Sequence, residues 1–230
     1  MIVLGVDSSA TAASAAVVKN GILVSEVFSQ TGLTHSQTLL PMIDNCIKMA
    51  GITVDDVDLI SVANGPGSFT GIRIGIATVK GIAFTNDIPC VEVSTLESMA
   101  YNLPFFDGIV CPVMDARCNQ VYTAMFKNDK ECKVNRLTDD EAMSIDELCE
   151  IIKKTDEKVI FVGDGAELCY NRMKDCCDNV LIASQHIRMQ RASSVAVCSV
   201  DKERKNSKNV SVNYIRLPQA QRELAKKQLK

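Results

Sequence analysis

The stretch Ala63-Asn64-Gly65-Pro66-Gly67-Ser68-Phe69-Thr70-Gly71-Ile72-Arg73-Ile74-Gly75 decides the fold. The apolar run Leu59-Ile60-Ser61-Val62-Ala63 feeds it, and a second apolar segment leaves it and reaches Phe84. This pattern predicts a buried strand, a tight turn and a helix, with Ser68 or Thr70 available as N-cap. Free amides at a helix N-terminus favour an anion, so the loop has the general form of a phosphate site. Its spacing differs from the known phosphate loops. There is no G-x-x-x-x-G-K-[ST], and G-x-G-x-x-x-G is one residue too long for the dinucleotide fingerprint. On local chemistry, glycines that let a helix pack closely on a sheet are favoured over glycines that bind phosphate.

Working outward, the 230 residues are enough for one large domain or two small ones with a real core. An apolar fraction of 47% with 23% charged residues is an ordinary globular composition, and no apolar run approaches a membrane span. Met1-Ile2-Val3-Leu4 leads directly into Asp7-Ser8-Ser9 without a basic, cleavable leader, so a cytoplasmic protein is expected. The ten cysteines contain no C-x-x-C pair, and only His35 and His186 accompany them. Reduced structural thiols are therefore expected rather than a zinc site. The net charge of −3 hides an asymmetry: residues 202–230 carry nine basic side chains against Glu203 and Glu223. Such a tail on an acidic body suits either a solvated helix end or contact with nucleic acid or an acidic partner.

The first hundred residues read as three strands followed by helix–strand alternation. Residues 2–6 end at Asp7, and residues 14–18 and 22–28 form a hairpin around Asn20-Gly21. Thr34 or Ser36 then caps a helix to about Ala50, with Leu39, Leu40, Ile43, Cys46, Ile47 and Ala50 on one stripe. A similar order restarts at residues 109–114, which end at Asp115. Strands at 121–126, 133–137, 159–162 and 180–183 and helices at 144–153, 166–173 and 192–205 complete it. The pattern implies an α/β protein built as a duplicated mixed sheet with flanking helices. This is the two-lobed, ribonuclease-H-like, actin-like class (the ASKHA fold), divided at 1–104 and 105–230.

Asp7-Ser8-Ser9, His35-Ser36-Gln37 with Leu39-Leu40-Pro41, and above all the Gly65–Gly75 loop resemble the bacterial TsaB family, also called YeaZ. Asp115-Ala116-Arg117 with Val121-Tyr122, Gly163-Asp164-Gly165 and Tyr214-Ile215-Arg216 fit the same family in order and spacing. The resemblance covers nearly the whole chain and is thin between Asn128 and Lys158. It makes Gly65, Pro66, Gly67, Ser68, Phe69, Thr70, Gly71 and Arg73 the family motif loop. It implies a role in making threonylcarbamoyladenosine beside the anticodon of tRNAs that read codons beginning with A. In that role the chain is a non-catalytic scaffold for the catalytic paralogue TsaD, with the ATPase TsaE as third member. It implies no cofactor of its own, with ATP or ADP at the interface shared with TsaD, and contact with tRNA only through the complex.

The paralogue's metal-holding H-x-x-x-H is broken here, because Leu39 stands four positions after His35. One imidazole on one helix does not hold a divalent metal, so neither a catalytic residue nor a metal is expected. His35 itself reads as a capping or solvent-facing residue. In actin-like kinases the loops matching Asp7, Ser8, Ser9, Asp115, Arg117, Gly163, Asp164 and Gly165 hold nucleotide. Here they read as vestigial, since the first loop has no basic residue and Asp115 can pair locally with Arg117. A self-sufficient ATP-dependent kinase or hydrolase, or a glycoprotease-like protein, is the rival reading, but no G-x-S-x-G or triad supports a protease. The helices give the positive signal. Ile74, Ala77, Gly81 and Phe84 form a second apolar stripe on the later helix, and Thr38, Met42, Asn45 and Met49 flank the main stripe of the earlier one. These eight residues are expected to face a partner, either TsaD or a second copy in a homodimer, unless they lie beneath the second lobe.

Overall fold

The computed structural model describes residues 1–129 and 133–216. Strands β1 (Ile2–Asp7), β2 (Ala13–Lys19), β3 (Ile22–Ser29), β4 (Leu59–Gly65) and β5 (Cys90–Ser94) form one sheet in the order β3-β2-β1-β4-β5. β1 pairs antiparallel with β2 and parallel with β4, so β1 and β4 are flanked on both edges and are almost wholly apolar and buried. The β2–β3 turn places Asn20 and Gly21 at φ 51° and 80°, the left-handed conformation that an Asn-Gly hairpin requires. Helices α1 (His35–Met49) and α2 (Phe69–Asn86) cover one face of this sheet. Leu39, Met42, Ile43, Cys46 and Ile47 of α1 and Ile72, Ile76, Val79 and Ala83 of α2 enter one core with Leu4, Val6, Val17, Ile60 and Val62.

The second sheet repeats this plan. Strands β6 (Ile109–Asp115), β7 (Gln120–Thr123), β10 (Glu141–Ser144), β11 (Val159–Val162) and β12 (Val180–Ile182) run in the order β10-β7-β6-β11-β12, with the same alternation of antiparallel and parallel pairs. The sequence reading of 121–126 as one strand is corrected. Pairing breaks at Ala124 and Met125, and β8 (Phe126–Asn128) moves to the other end of β6 and carries β9 (Val134–Arg136). Strand β10, which periodicity alone missed, takes the place that β3 holds in the first sheet. Helices α4 (Ile145–Ile152) and α5 (Ala166–Met173) cover this sheet, and α4 starts at a Ser144–Glu147 capping box.

The two halves exchange their remaining helices. Helix α3 (Thr95–Ala100), unforeseen from the sequence, follows β5 but packs on β6 of the second sheet, where Leu96, Met99 and Ala100 meet Val110, Met114 and Phe126. Helix α6 (Ala192–Cys198) ends seven residues earlier than the sequence suggests and returns to the first sheet, where Val195 and Ala196 meet Val3, Leu59 and Val91. Glu26 receives the Ser193 amide at 3.1 Å and the Arg191 guanidinium at 2.6 Å, so an acid neutralises the start of α6.

Between α6 and Arg216 the described chain is not a free basic helix. Lys205 exchanges backbone hydrogen bonds with Cys90 at 2.8 and 2.7 Å, its ammonium lies 2.6 Å from Glu92, and Lys202 lies 2.7 Å from Glu97. Lys202 and Arg136 hold the Glu97 carboxyl below the usual range despite its burial. Two of the tail's nine cations are therefore committed to this chain's own carboxylates. Arg222, Lys226, Lys227 and Lys230 lie outside the described residues.

Close contact between α6 and the first sheet depends on Gly5. A Cβ there would sit 2.2 Å from the Ala192 carbonyl oxygen. Gly5→Ala should therefore push α6 off the sheet and lower stability by roughly 1–3 kcal/mol, read as a reduced urea midpoint. An unchanged midpoint would refute this packing.

Candidate functional site

The motif loop lies at the floor of a cleft of about 520 Å³ between the lobes. Ser68 caps α2 by accepting the Gly71 amide at 3.2 Å. The loop's spacing follows from how closely α2 approaches the β1–β2 loop. Cβ atoms on Gly67 and Gly71 would lie 2.3 and 2.1 Å from the Ser9 and Ser8 carbonyl oxygens. A Cβ on Gly75, one turn further, would lie 2.5 Å from Ser8 Oγ. The contact is fastened by Ser68 N–H donating to the Ser9 carbonyl at 2.6 Å and Ser8 Oγ donating to the Gly71 carbonyl at 2.9 Å. The glycines thus serve helix-to-loop packing, and the segment they receive is the Asp7-Ser8-Ser9 motif.

Asp7 closes β1 fully buried. Its Oδ1 accepts from the Ser9 amide at 2.8 Å and the Ser9 hydroxyl at 2.7 Å, while Oδ2 has no partner among the described residues. Burial raises its pKa to about 6, against the opposing pull of the Ser9 hydrogen bonds and the His35 charge. His35 is half-buried and follows the N-cap Thr34, so it does not cap α1 as the sequence reading allowed. Its Nε2 donates to the Ala10 carbonyl at 2.7 Å and ties α1 to the same loop. Asp115 repeats this turn in the second lobe, with Oδ1 accepting the amide two residues on, that of Arg117, at 2.7 Å. The pairing is to the Arg117 backbone, and Arg117 itself sits at φ 63°. Asp164 points Oδ1 into the interior without a partner, and burial together with Asp115 raises its pKa to about 6. Gly163, at φ 109°, rests on Val113, where a Cβ would come within 2.2 Å of the carbonyl oxygen.

Two motif segments 141 residues apart in sequence meet on the cleft wall. Asn213 N–H donates to the Asn64 carbonyl at 2.8 Å, which brings Tyr214 onto Phe69 with ring centroids 5.1 Å apart. The Arg73 guanidinium lies 3.7 Å from the Phe69 centroid, and its Nε donates to the Tyr214 hydroxyl at 2.7 Å. Arg216 faces the Tyr122 ring at 5.9 Å. Residues 213–216 therefore line the cleft as a strap from the far end of the chain.

The helical stripes are placed differently from one another. Ala77, Gly81 and Phe84 lie on the exposed face of α2, with Phe84 66% accessible, and Ile74 is half-buried against the first-lobe core. They do not lie beneath the second lobe. On α1, Asn45 and Met49 are exposed and Thr38 is half-buried. Met42 is corrected, because it is only 6% exposed and belongs to the core. Leu40, assigned from the sequence to the buried stripe, is exposed instead. Leu40 lies about 100° round the helix from buried Leu39, at the edge of the stripe.

Two sheets of matching strand order, helices exchanged between them and an aspartate closing each first strand define a two-lobed actin-like protein. Residues 22–226 match the family model described as TsaD, tRNA N6-adenosine threonylcarbamoyltransferase. The chain is 30% identical over 96% of its length, and 96% of the relative's, to the tRNA threonylcarbamoyladenosine biosynthesis protein TsaB of Bacillus subtilis. It is 26% identical to a tRNA N6-adenosine threonylcarbamoyltransferase of Phocaeicola vulgatus over 66% of this chain, and spans about half (52%) of that relative. The structure of YeaZ from Pseudomonas aeruginosa superposes with a TM-score of 0.79 at 22% identity, covering 93% of this chain and 99% of that one. The chain belongs to the TsaB (YeaZ) family.

The buried Asp7 carboxyl has a consequence for stability. Its pKa is above the unfolded value, so the folded state keeps a proton that the unfolded state releases between pH 4 and about 6. This group therefore lowers stability as pH rises through that window and contributes no further change above it. Asp7→Asn keeps the Oδ1 acceptor and removes the titration. The stability difference, variant minus wild type, should rise by roughly 2–3 kcal/mol from pH 4 to pH 7. Denaturant titrations at both pH values read this, and a constant difference would refute it.

Proposed function

We propose that this chain takes part in threonylcarbamoyladenosine biosynthesis as a non-catalytic, cytoplasmic scaffold subunit. Its partner in this reading is a TsaD-type transferase acting on the adenosine beside the anticodon of tRNAs that read codons beginning with A. A TsaE-type ATPase joins the assembly, and tRNA is reached through the complex. One observation carries the reading. Gly81 stands in the middle of an 18-residue helix with nothing within 4 Å of where its Cβ would be, between exposed Ala77 and Phe84. A mid-helix glycine costs roughly 0.5–1 kcal/mol relative to alanine, and no contact within the described residues of this chain offsets that cost. Small residues beside a large exposed apolar one suit a partner helix that approaches the α2 backbone closely. Met49 and Asn45 of neighbouring α1 extend the same face. A homodimer through this face is the competing use of the same surface.

The histidine chemistry supports a scaffold rather than a catalyst. The helix position where the transferase pattern has its second histidine is Leu39, buried in the core, and the His35 ring is committed to a backbone carbonyl. In this reading ATP or ADP belongs to the interface with the transferase. The cleft of this chain is lined by Asp115 and Asp164 as well as by Arg117, Arg216 and the Tyr214 strap, so a phosphate there meets both signs of charge.

Ala77 is exposed, so Ala77→Glu leaves the charge hydrated in the monomer, and the variant should fold as wild type by circular dichroism. Within a partner interface the same charge is desolvated, at a cost of several kcal/mol against roughly 8 kcal/mol for a micromolar complex. Binding to the transferase and self-association, followed by sedimentation, should both be lost. In parallel, Gly81→Ala should stabilise the monomer by about 0.4–1 kcal/mol while weakening the complex. A folded Ala77→Glu variant that still binds the transferase would overturn the interface, and transferase-independent ATP turnover would favour a self-sufficient enzyme.

A further inference from the structure

Cysteine spacing in the sequence gives no metal pattern, but folding brings three thiols together on the helical layer of the second lobe. Cys149 lies on α4, and Cys176 and Cys177 lie in the turn between α5 and β12. That turn is tight: the amides of Cys176 and Cys177 both donate to the Met173 carbonyl, at 3.0 and 2.9 Å. Cys176 Sγ is 3.7 Å from Cys149 Sγ and 3.9 Å from Cys177 Sγ, and all three sulfurs lie within 4.8 Å of one another. None of these residues lines the interlobe cleft.

We infer that Cys149, Cys176 and Cys177 form a binding site for a thiophilic d10 cation of the zinc type, held by three thiolates with water in the fourth position. The separations fit the ion. Zinc–sulfur bonds of about 2.3 Å in a tetrahedron place neighbouring sulfurs about 3.8 Å apart, so the cluster closes on a metal with little movement. Cys149 and Cys177 are buried and fixed by the second-lobe core, which supplies a rigid base. Cys176 is exposed, which gives the ion a path from solvent and leaves the outward position to water. Binding releases one proton from each thiol that is protonated beforehand, so three thiols and one dication give a site of net charge −1. The nearest ammonium, that of Lys153 one turn beyond Cys149, is itself paired with Glu150 at 2.8 Å. Since a thiol must lose its proton to bind the ion, affinity should rise with pH.

The experiment titrates the reduced full-length chain with Cd²⁺, following the thiolate-to-metal absorption band, and with Zn²⁺ by equilibrium dialysis. One equivalent should bind with a band whose intensity matches three thiolates. Cys176→Ser, at an exposed position that leaves the core intact, should weaken binding at least about tenfold. Cys118→Ser, at the other exposed cysteine among the described residues, should leave binding unchanged. Stoichiometric Zn²⁺ should also slow formation of a Cys149–Cys176 disulfide in air, read by mass spectrometry. Absence of the band, equal binding by Cys176→Ser, or oxidation at the same rate with and without Zn²⁺ would each overturn the site.

Discussion

The contact between the start of α2 and the β1–β2 loop is the constraint on which the rest of the molecule depends. Gly67 and Gly71 let the chain approach the Ser9 and Ser8 carbonyls to a distance that any Cβ would block, and Gly75 leaves room for the Ser8 hydroxyl. That approach sets three things together. It seats Ser68 as both a cap and a donor to the loop. It presents Phe69 and Arg73 to the returning strap. It also fixes the rotation of α2, so that Ile72, Ile76, Val79 and Ala83 enter the core and Ala77, Gly81 and Phe84 face outward. A loop shaped like an anion cradle is here a packing device.

The duplication is visible in single hydrogen bonds as well as in strand order. Asp7 and Asp115 each end the central strand of a sheet and accept the amide two residues on. Their surroundings then diverge. Asp7 is sealed beneath α2 with one oxygen unsatisfied, whereas Asp115 is exposed beside three consecutive left-handed residues, Arg117, Cys118 and Asn119. The same turn in two environments gives a buried carboxyl with a raised pKa in one lobe and an open loop in the other. Asp164 adds a second carboxyl with a raised pKa, and the cleft that Asp115 and Asp164 line also carries Arg117 and Arg216.

Charge and apolar surface are divided along the first lobe. Glu92 gathers Lys205, the Ser211 amide and the Ser211 hydroxyl, and Glu97 gathers Lys202 and Arg136. These carboxylates clamp the returning chain along the edge of the sheet, where β5 would otherwise present unpaired backbone. Positive charge that looks like a nucleic-acid tail in the sequence is in part the means by which the last segment is fastened. The exposed apolar side chains of this lobe include Phe84 of α2, Met49 of α1 and Ile22, Leu23 and Val24 of β3.

The sequence by itself determined the strands at Ile2–Asp7, Leu59–Gly65 and Ile109–Asp115, the Asn-Gly hairpin, a cap at either Ser68 or Thr70, and the repeated order of elements. Those follow from local periodicity and turn chemistry, which act within a few residues. It also determined the family, because the glycine loop admits few alternatives. Tertiary structure decided everything that depends on contacts between distant segments. Helix α3 is six residues long and leaves too little periodicity to detect, and the break at Ala124 and Met125 exists because β6 has two partners for one edge. The inward turn of Met42, the use of His35 to hold the Ala10 carbonyl and the pairing of Tyr214 with Phe69 and Arg73 are equally nonlocal. So is the meeting of Cys149 with Cys176 and Cys177, separated by 27 and 28 positions. Residue type and spacing encode which way a chain segment turns; which side chains then converge is set by how the sheets and helices pack, and only that packing brings the thiols, the strap and the buried acids together.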